Sequence, residues 1–463
     1  MISFSSLDIF IILLFFFIVV AIGFIPKTKE DNEDYLLSGR KVGLFLFVLT
    51  NVATWYGGIL GVGEFSYRYG LVSWFTQGFP YYIFAIIFAL FFAKKVRETS
   101  LFTIPDKIED VYGRKLSIVS AVLIFILVSP APYMLMLASL FSMIFNFPLL
   151  PSLIIAGIFS SIYLFKGGMK ADIVTDAFEF FVMFIGFIVI VLTAYLNYGG
   201  TDFLVASLPE THVSLTGDAS PTFIIVWFLI ALWTFADPGF HQRSYAAKSG
   251  NVAVKGIIIS VAFWALFDFL TTSTGLYARA ILPNLDNPVL SFPALAEKIL
   301  SPGLKGLFYA ALFATILSTL NSFLFISATT FSKDFLQKIK PGIVKNELKK
   351  FTRIGLLITS IVSIIFAYYA QSVISLWYTI GSICIPGLIF VVIGSYYERF
   401  RLGKDFAMLQ VVLSTTVSIV WWMMRSNFST IPIINELEPM ILGIITALII
   451  QVLGKRIGRR TAH

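Results

Sequence analysis

Thr315, Ser318, Thr319 and Ser322 stand at i, i+3, i+4 and i+7 within the apolar stretch 308–327, so a helix there carries four hydroxyls in one stripe. Neutral oxygens on an apolar helix suit a small hard cation, which takes oxygen ligands. Bonds to the i−4 carbonyls of the same helix, or to a neighbouring helix, would satisfy them equally. Other groups able to do chemistry also sit in apolar surroundings. Asp176 and Glu179 lie one turn apart at the start of segment 173–197, Asp237 precedes Pro238-Gly239, and Asp268 lies among aromatics ahead of Thr271–Thr274. An acid inside a membrane points to an ion or substrate path. For Asp176 and Glu179 the helix dipole is a sufficient alternative reason, and for Asp268 an internal hydrogen-bond network. An intramembrane enzyme lacks support: His212, His241 and His463 share no ligand spacing, Cys384 is the single cysteine, and no nucleophile motif or G-x-x-x-x-G-K-[ST] loop is present.

The elements that hold these residues are membrane spans. Of 463 residues 58% are apolar and 13% charged, against roughly 25% charged in soluble domains, and the mean hydropathy is +0.88. Thirteen apolar runs approach the 20 residues that a crossing requires: 7–26, 43–69, 71–93, 116–145, 149–166, 173–197, 221–242, 253–282, 303–333, 351–371, 373–397, 405–424 and 437–454. The fold class is therefore an all-α polytopic membrane protein of about 13 transmembrane helices, forming a single transporter domain over 1–463. The first run, numbered helix zero, carries no polar landmark and no cleavage site, and reads as a retained span rather than a signal peptide. With the N-terminus outside, 29 of the 34 Lys and Arg fall on inner loops, including 94–115, 243–255 and 333–353 with Pro341-Gly342 at its middle. Arg68, Arg279, Lys298, Lys305 and Arg425 remain outside. The C-terminus is then cytoplasmic, and the net charge of +8 is a topological signal rather than a nucleic-acid footprint.

Two spans are interrupted. Helix one contains Asn51, Thr54, Trp55 and Tyr56 followed by Gly57, Gly58, Gly61 and Gly63, which weaken the helix and expose carbonyls. Helix six contains Asp237-Pro238-Gly239. Breaks five helices apart point to an inverted repeat of five helices, 43–197 and 221–397, with the binding site between the broken segments. Helix zero (7–26) and the last two helices (405–454) are peripheral. Ser129-Pro130 and Pro132-Tyr133 predict a bend in helix three. Loop 283–302 is a candidate cap for the outer mouth. By position, the solute-pocket candidates are Trp55, Gly57, Gly58, Gln77, Tyr133, Asp237 and Trp377; Asp237 would pair with a cationic group or cap the break.

Four motifs carry a family resemblance: Asp34-Tyr35-Leu-Leu-Ser-Gly39-Arg40, Gly167-Gly168 through Thr175-Asp176, Gln242-Arg243-Ser-Tyr-Ala246-Ala247-Lys248, and Leu317-Ser318-Thr319-Leu-Asn321-Ser322. In this order the chain resembles the sodium:solute symporter family. The resemblance implies a five-plus-five inverted repeat of the LeuT-like fold and a sodium-coupled symporter importing a small organic solute, with Na+ as coupling ion, working as a monomer in the plasma (inner) membrane. It implies a sodium site from the carbonyls of Ala53, Tyr56 and Thr315 and the hydroxyls of Ser318 and Thr319. A second sodium site would use Asp176 with Ser318, Asn321 and Ser322. Thr315, Asn321 and Glu179 stand where relatives often have alanine, serine and glutamine. The alternatives are proton coupling through Asp176, Glu179 or Asp237, and a solute sensor built on the same fold, for which no appended soluble domain is seen.

Overall fold

The protein is described by a computed structural model covering residues 3–28, 31–340, 342, 347–369, 373–428 and 437–460. Pro341 of the inner linker and His463 lie outside the described residues. The helices that matter are α1 (Ser6–Phe24), α2 (Leu44–Ala53), α3 (Ile59–Tyr69), α4 (Leu71–Glu98), α5 (Arg114–Leu127), α6 (Ala131–Phe145), α7 (Leu149–Ser161) and α8 (Leu164–Tyr198). The second half comprises α9 (Pro221–Ile230), α10 (Pro238–Ala246), α11 (Gly250–Ile281), α12 (Leu304–Thr329), α13 (Leu348–Tyr369), α14 (Val373–Tyr396), α15 (Lys404–Met424) and α16 (Pro439–Arg460).

Among the described residues, eleven helical stretches are long and apolar enough to cross a membrane, or twelve when α2 and α3 count as one bent span. The run expected at 149–166 forms only the 13-residue α7, shorter than the roughly 20 residues of a full crossing, so the count of thirteen is not reproduced.

Both expected interruptions are present. A turn of 3-10 helix, Thr54–Tyr56, separates α2 from α3, and the span bends by 60° there. In the other, α9 ends at Ile230, a four-residue turn covers Trp233–Ala236, and Asp237 is extended (ψ 115°) before α10 begins at Pro238. The Asp237 carboxylate accepts the Phe240 amide at 2.9 Å, so it caps α10. The proline pair also does what its chemistry dictates: α5 stops at Leu127 and α6 restarts at Ala131.

The start of the first broken span and the end of the second are laced together. The amide of Val42 donates to Ala246 at 3.2 Å and that of Lys248 to Val42 at 2.8 Å, one parallel bridge joining the entry of α2 to the exit of α10. Arg40 adds bonds to the carbonyls of Ser100 and Leu101 at 3.0 and 3.1 Å.

At the centre stands α12. The apolar window of its span is 100% buried, against 33% for α1 and 28% for α16, so α12 is the axle and the other two are peripheral. Gly186 and Gly306 allow α8 and α1 to approach it closely: a methyl group there would meet Ala311 and the Asp8 backbone respectively. The expectation that the first segment lacks a polar landmark is corrected by Asp8, which is fully buried. Its Oδ1 accepts the amides of Gly303 and Gly306, both at 2.8 Å, while Oδ2 accepts Ser5. One carboxylate thereby caps two helices, its own and α12. Asp8→Ala leaves two buried amides at the head of α12 without a partner and is expected to cost roughly 2 kcal/mol or more, whereas Asp8→Asn retains much of the cap; thermal unfolding in detergent measures the difference.

Candidate functional site

The four hydroxyls of α12 reach different partners. Thr315 donates back to Ala311 on its own helix. Ser318 crosses to the Ala53 carbonyl at 2.8 Å and lies 3.2 Å from that of Thr315. Thr319 crosses to the Thr54 carbonyl at 2.7 Å. Ser322 donates to Asp172 of α8 at 2.7 Å. Back-bonding alone therefore explains Thr315; the other three hydroxyls reach neighbouring helices. The start of the 3-10 turn ahead of the bend presents the Ala53 and Thr54 carbonyls to α12, where Ser318 and Thr319 donate to them. Of the expected sodium ligands, Ser318 holds together the Ala53 and Thr315 carbonyls. Thr319 approaches Thr54 rather than Tyr56, the last residue of the same 3-10 turn. All five residues are buried, and the donor set is neutral oxygen throughout, which fits sodium and offers a soft metal nothing.

Beneath this lies a charged cluster that the inner-loop reading missed. Arg243, counted above among loop charges, is 2% exposed. Its Nη2 donates to Ser322 at 2.8 Å and to Thr54, and lies 3.4 Å from Asp176 and 3.8 Å from Asp172; Nε donates to Thr50 at 3.2 Å. Thr50 and Thr54 also donate to Asp176. Asp172, Asp176 and Glu179 lie at i, i+4 and i+7 of α8, so three carboxyls share one face opposite one guanidinium. Both Glu179 oxygens, one oxygen each of Asp172 and Asp176, and the Asn321 carbonyl oxygen are buried without a hydrogen-bond partner among the described residues. Asn321 spends its amide on the Tyr163 hydroxyl. Of the residues expected at a second site, Asp176 and Ser322 meet at Arg243, whereas Ser318 bonds to Ala53 and Asn321 to Tyr163.

A cavity of about 180 Å³ lies between the broken spans. Six of the seven pocket candidates line it: Trp55, Gly58, Gln77, Tyr133, Asp237 and Trp377. Gly57 does not; its α-carbon faces α12, where a methyl would strike the Thr319 side chain. Gly58 presents its open face to the Trp377 ring. Sequence reasoning missed Trp74, Tyr81 and Trp233 as lining residues, and left Asp268 undecided. The structure gives Asp268 both roles, since it accepts the Tyr82 hydroxyl and faces the cavity.

Two broken spans, a buried axle helix and a cavity beside both breaks define a secondary transporter of the LeuT-like, five-plus-five class. The model of the sodium:solute symporter family matches residues 35–413, and the chain belongs to that family. It is 25% identical to the sodium/pantothenate symporter of Haemophilus influenzae, over 85% of each chain. It is also 25% identical to a sodium/proline symporter of Staphylococcus aureus, over 96% of this chain and 93% of the other. Among solved structures, that of a substrate-bound, outward-open Na+-coupled sialic acid symporter superposes with a TM-score of 0.82 at 15% identity, covering 97% of this chain and 98% of the other. Mhp1, a nucleobase-cation-symport-1 family transporter in a closed conformation with bromovinylhydantoin bound, superposes with a TM-score of 0.58 at 14% identity, covering 94% and 97%.

Two substitutions separate the ion site from the charged cluster. Gly57→Ala drives a methyl into Thr319 and is expected to destabilise by about 1–3 kcal/mol and to weaken any sodium-dependent gain in melting temperature. Arg243→Met leaves Asp172 and Asp176 without their cation and is expected to cost roughly 3–5 kcal/mol, with partial recovery on adding Asp172→Asn; denaturant or thermal unfolding reads both.

Proposed function

We propose that this integral membrane protein imports a small organic solute by alternating access, driven by sodium bound between the break of α2–α3 and α12. The observation that carries this reading is the pair of hydroxyls, Ser318 and Thr319, seated on the carbonyls of Ala53 and Thr54 beside the break. A cation here would take the hydroxyl lone pairs and the carbonyl oxygens together, stiffening the bend and holding the broken span against the axle. Solute in the adjoining cavity contacts the same break through Trp55 and Gly58, so each ligand raises the other's affinity by one common factor. Membrane potential adds about 2.3 kcal/mol per charge per 100 mV to inward sodium movement.

With the N-terminus outside and the C-terminus cytoplasmic in the plasma (inner) membrane, Phe65, Trp74 and Thr272 fall on the outer side of the breaks, and all three line the cavity. The Val42–Ala247 bridge and the Arg243 cluster lie on the inner side. This supports an arrangement closed inward, which must open by parting those contacts. We take 43–197 and 221–397 as the two repeats of a single domain acting as a monomer. Surplus carboxylate around Asp176, with Asn321 and Ser322 beside it, supports a second cation site there, which Arg243 vacates or shares. Asp176, Glu179 and Asp237 remain the proton-carrying alternative.

The test is thermal stability of purified protein against sodium, with potassium holding ionic strength constant. Sodium at 100 times its Kd stabilises by about 2.7 kcal/mol. Ser318→Ala with Thr319→Ala is expected to abolish that gain, and Asp176→Asn to leave it if the first site acts alone. Equal melting curves in sodium and potassium would count against the assigned site.

A further inference from the structure

The cavity is electrostatically incomplete on its own. Asp237 and Asp268 face it from different elements, the break before α10 and the middle of α11. Neither carboxylate has a Lys, Arg or His nitrogen within ion-pair distance among the described residues; the ion pairs of Arg243, the cavity's one basic lining residue, go to Asp172 and Asp176. Arg243 is further held by Thr50, Thr54 and Ser322, so it offers little net positive charge to a solute. Asp237 has only Arg243 nearby as a countercharge, already shared with Asp172 and Asp176, and Asp268 has no cation beside it among the described residues; two such acids taken out of water are costly, and a site that keeps both ionised is completed by a positive ligand.

The remaining walls narrow the ligand further. Trp55, Trp74, Tyr81, Tyr133, Trp233 and Trp377 line the same space. Aromatic faces attract organic cations, most strongly when these are desolvated. A bare metal ion would leave most of a cavity of about 180 Å³ unfilled, while a drug-sized ligand needs roughly 300–1,000 Å³. Size, sign and wall chemistry agree on a compact ammonium.

We propose that the transported solute is a small organic cation, an alkylamine or quaternary ammonium, drawn into the cavity by the Asp237 and Asp268 carboxylates and held against its aromatic walls. This rests on the symporter reading above for its coupling to sodium, but not for its chemistry. Organic anions are excluded by the two carboxylates, and neutral solutes of the same shape lose both charge pairing and attraction to the rings.

The test uses purified full-length protein in saturating sodium. Choline, tetramethylammonium and n-butylammonium are compared with 3,3-dimethyl-1-butanol, the uncharged isostere of choline, and with butyrate. At least one cation is expected to raise the melting temperature by several degrees, with the isostere and butyrate at least tenfold weaker. Asp237→Asn and Asp268→Asn are each expected to weaken that cation tenfold or more. Asparagine keeps an oxygen for the Phe240 amide or the Tyr82 hydroxyl, so both variants retain their local structure. The inference is overturned if butyrate or the isostere stabilises as well as any cation, if no cation stabilises, or if both variants bind the cation undiminished. Failure of sodium itself to stabilise overturns the symporter reading instead; a cation shift seen without sodium would still support the assignment of the cavity.

Discussion

A helix that breaks inside a membrane sets carbonyl oxygens loose where no bulk water reaches, and each must find a donor or a cation. Here the oxygens of Ala53 and Thr54, at the start of the 3-10 turn just ahead of the bend, also accept the hydroxyls of Ser318 and Thr319. Much of the architecture follows from keeping those hydroxyls in place. α12 must stand upright beside the bend, so Asp8 caps its head, and glycines at 186 and 306 let α8 and α1 close around it. Gly57 removes the methyl that would hold the bend away. On the proposed reading an ion would share this contact, so the same geometry would serve as both scaffold and switch.

Charge is distributed with comparable economy. On the α2 side of the bend, Arg243 draws together Thr50 and Thr54 of the first broken span, Asp172 and Asp176 of α8, and Ser322 of α12. Four elements meet at one guanidinium, and the carboxyls still outnumber it. On the other side of the breaks, Asp237 and Asp268 add two more acids under aromatic walls. The path between the broken spans is therefore negative along its length, and cations are favoured at each level.

The parts legible in the sequence were those with a local cause. Glycines at 57 and 58 and Pro238-Gly239 announce breaks because their own backbone chemistry disfavours helix there, and the 3-4 spacing of hydroxyls survives in any helix. The count of thirteen spans is not confirmed: the apolar run 149–166 has enough hydropathy to look like a crossing, while the helix there, Leu149–Ser161, is 13 residues long. Arg243 was misplaced for a non-local reason. It follows a Pro-Gly break and precedes Lys248, which reads as a loop; only the acids of α8, about 70 residues earlier, pull it into the interior. Asp8 was overlooked likewise, since its partners lie some 295 residues away. Trp74 and Tyr81 carried no signal against a background of 16% aromatic residues.

The complete burial of α12 bears on how the chain is assembled during synthesis. When α12 leaves the ribosome, α1, α2 and α8 have already been made, whereas α13, which packs along its other flank, has not. A helix whose four hydroxyls and Asn321 all face protein in the finished molecule has no side designed for acyl chains. Its residence in lipid is tolerable only while those groups bond to their own turns. Assembly is thus ordered: the earlier helices form an open cradle, α12 docks into it under the cap of Asp8, and the later helices seal the groove. Quality control in the bilayer would recognise a chain stalled before that docking by the exposed polar stripe.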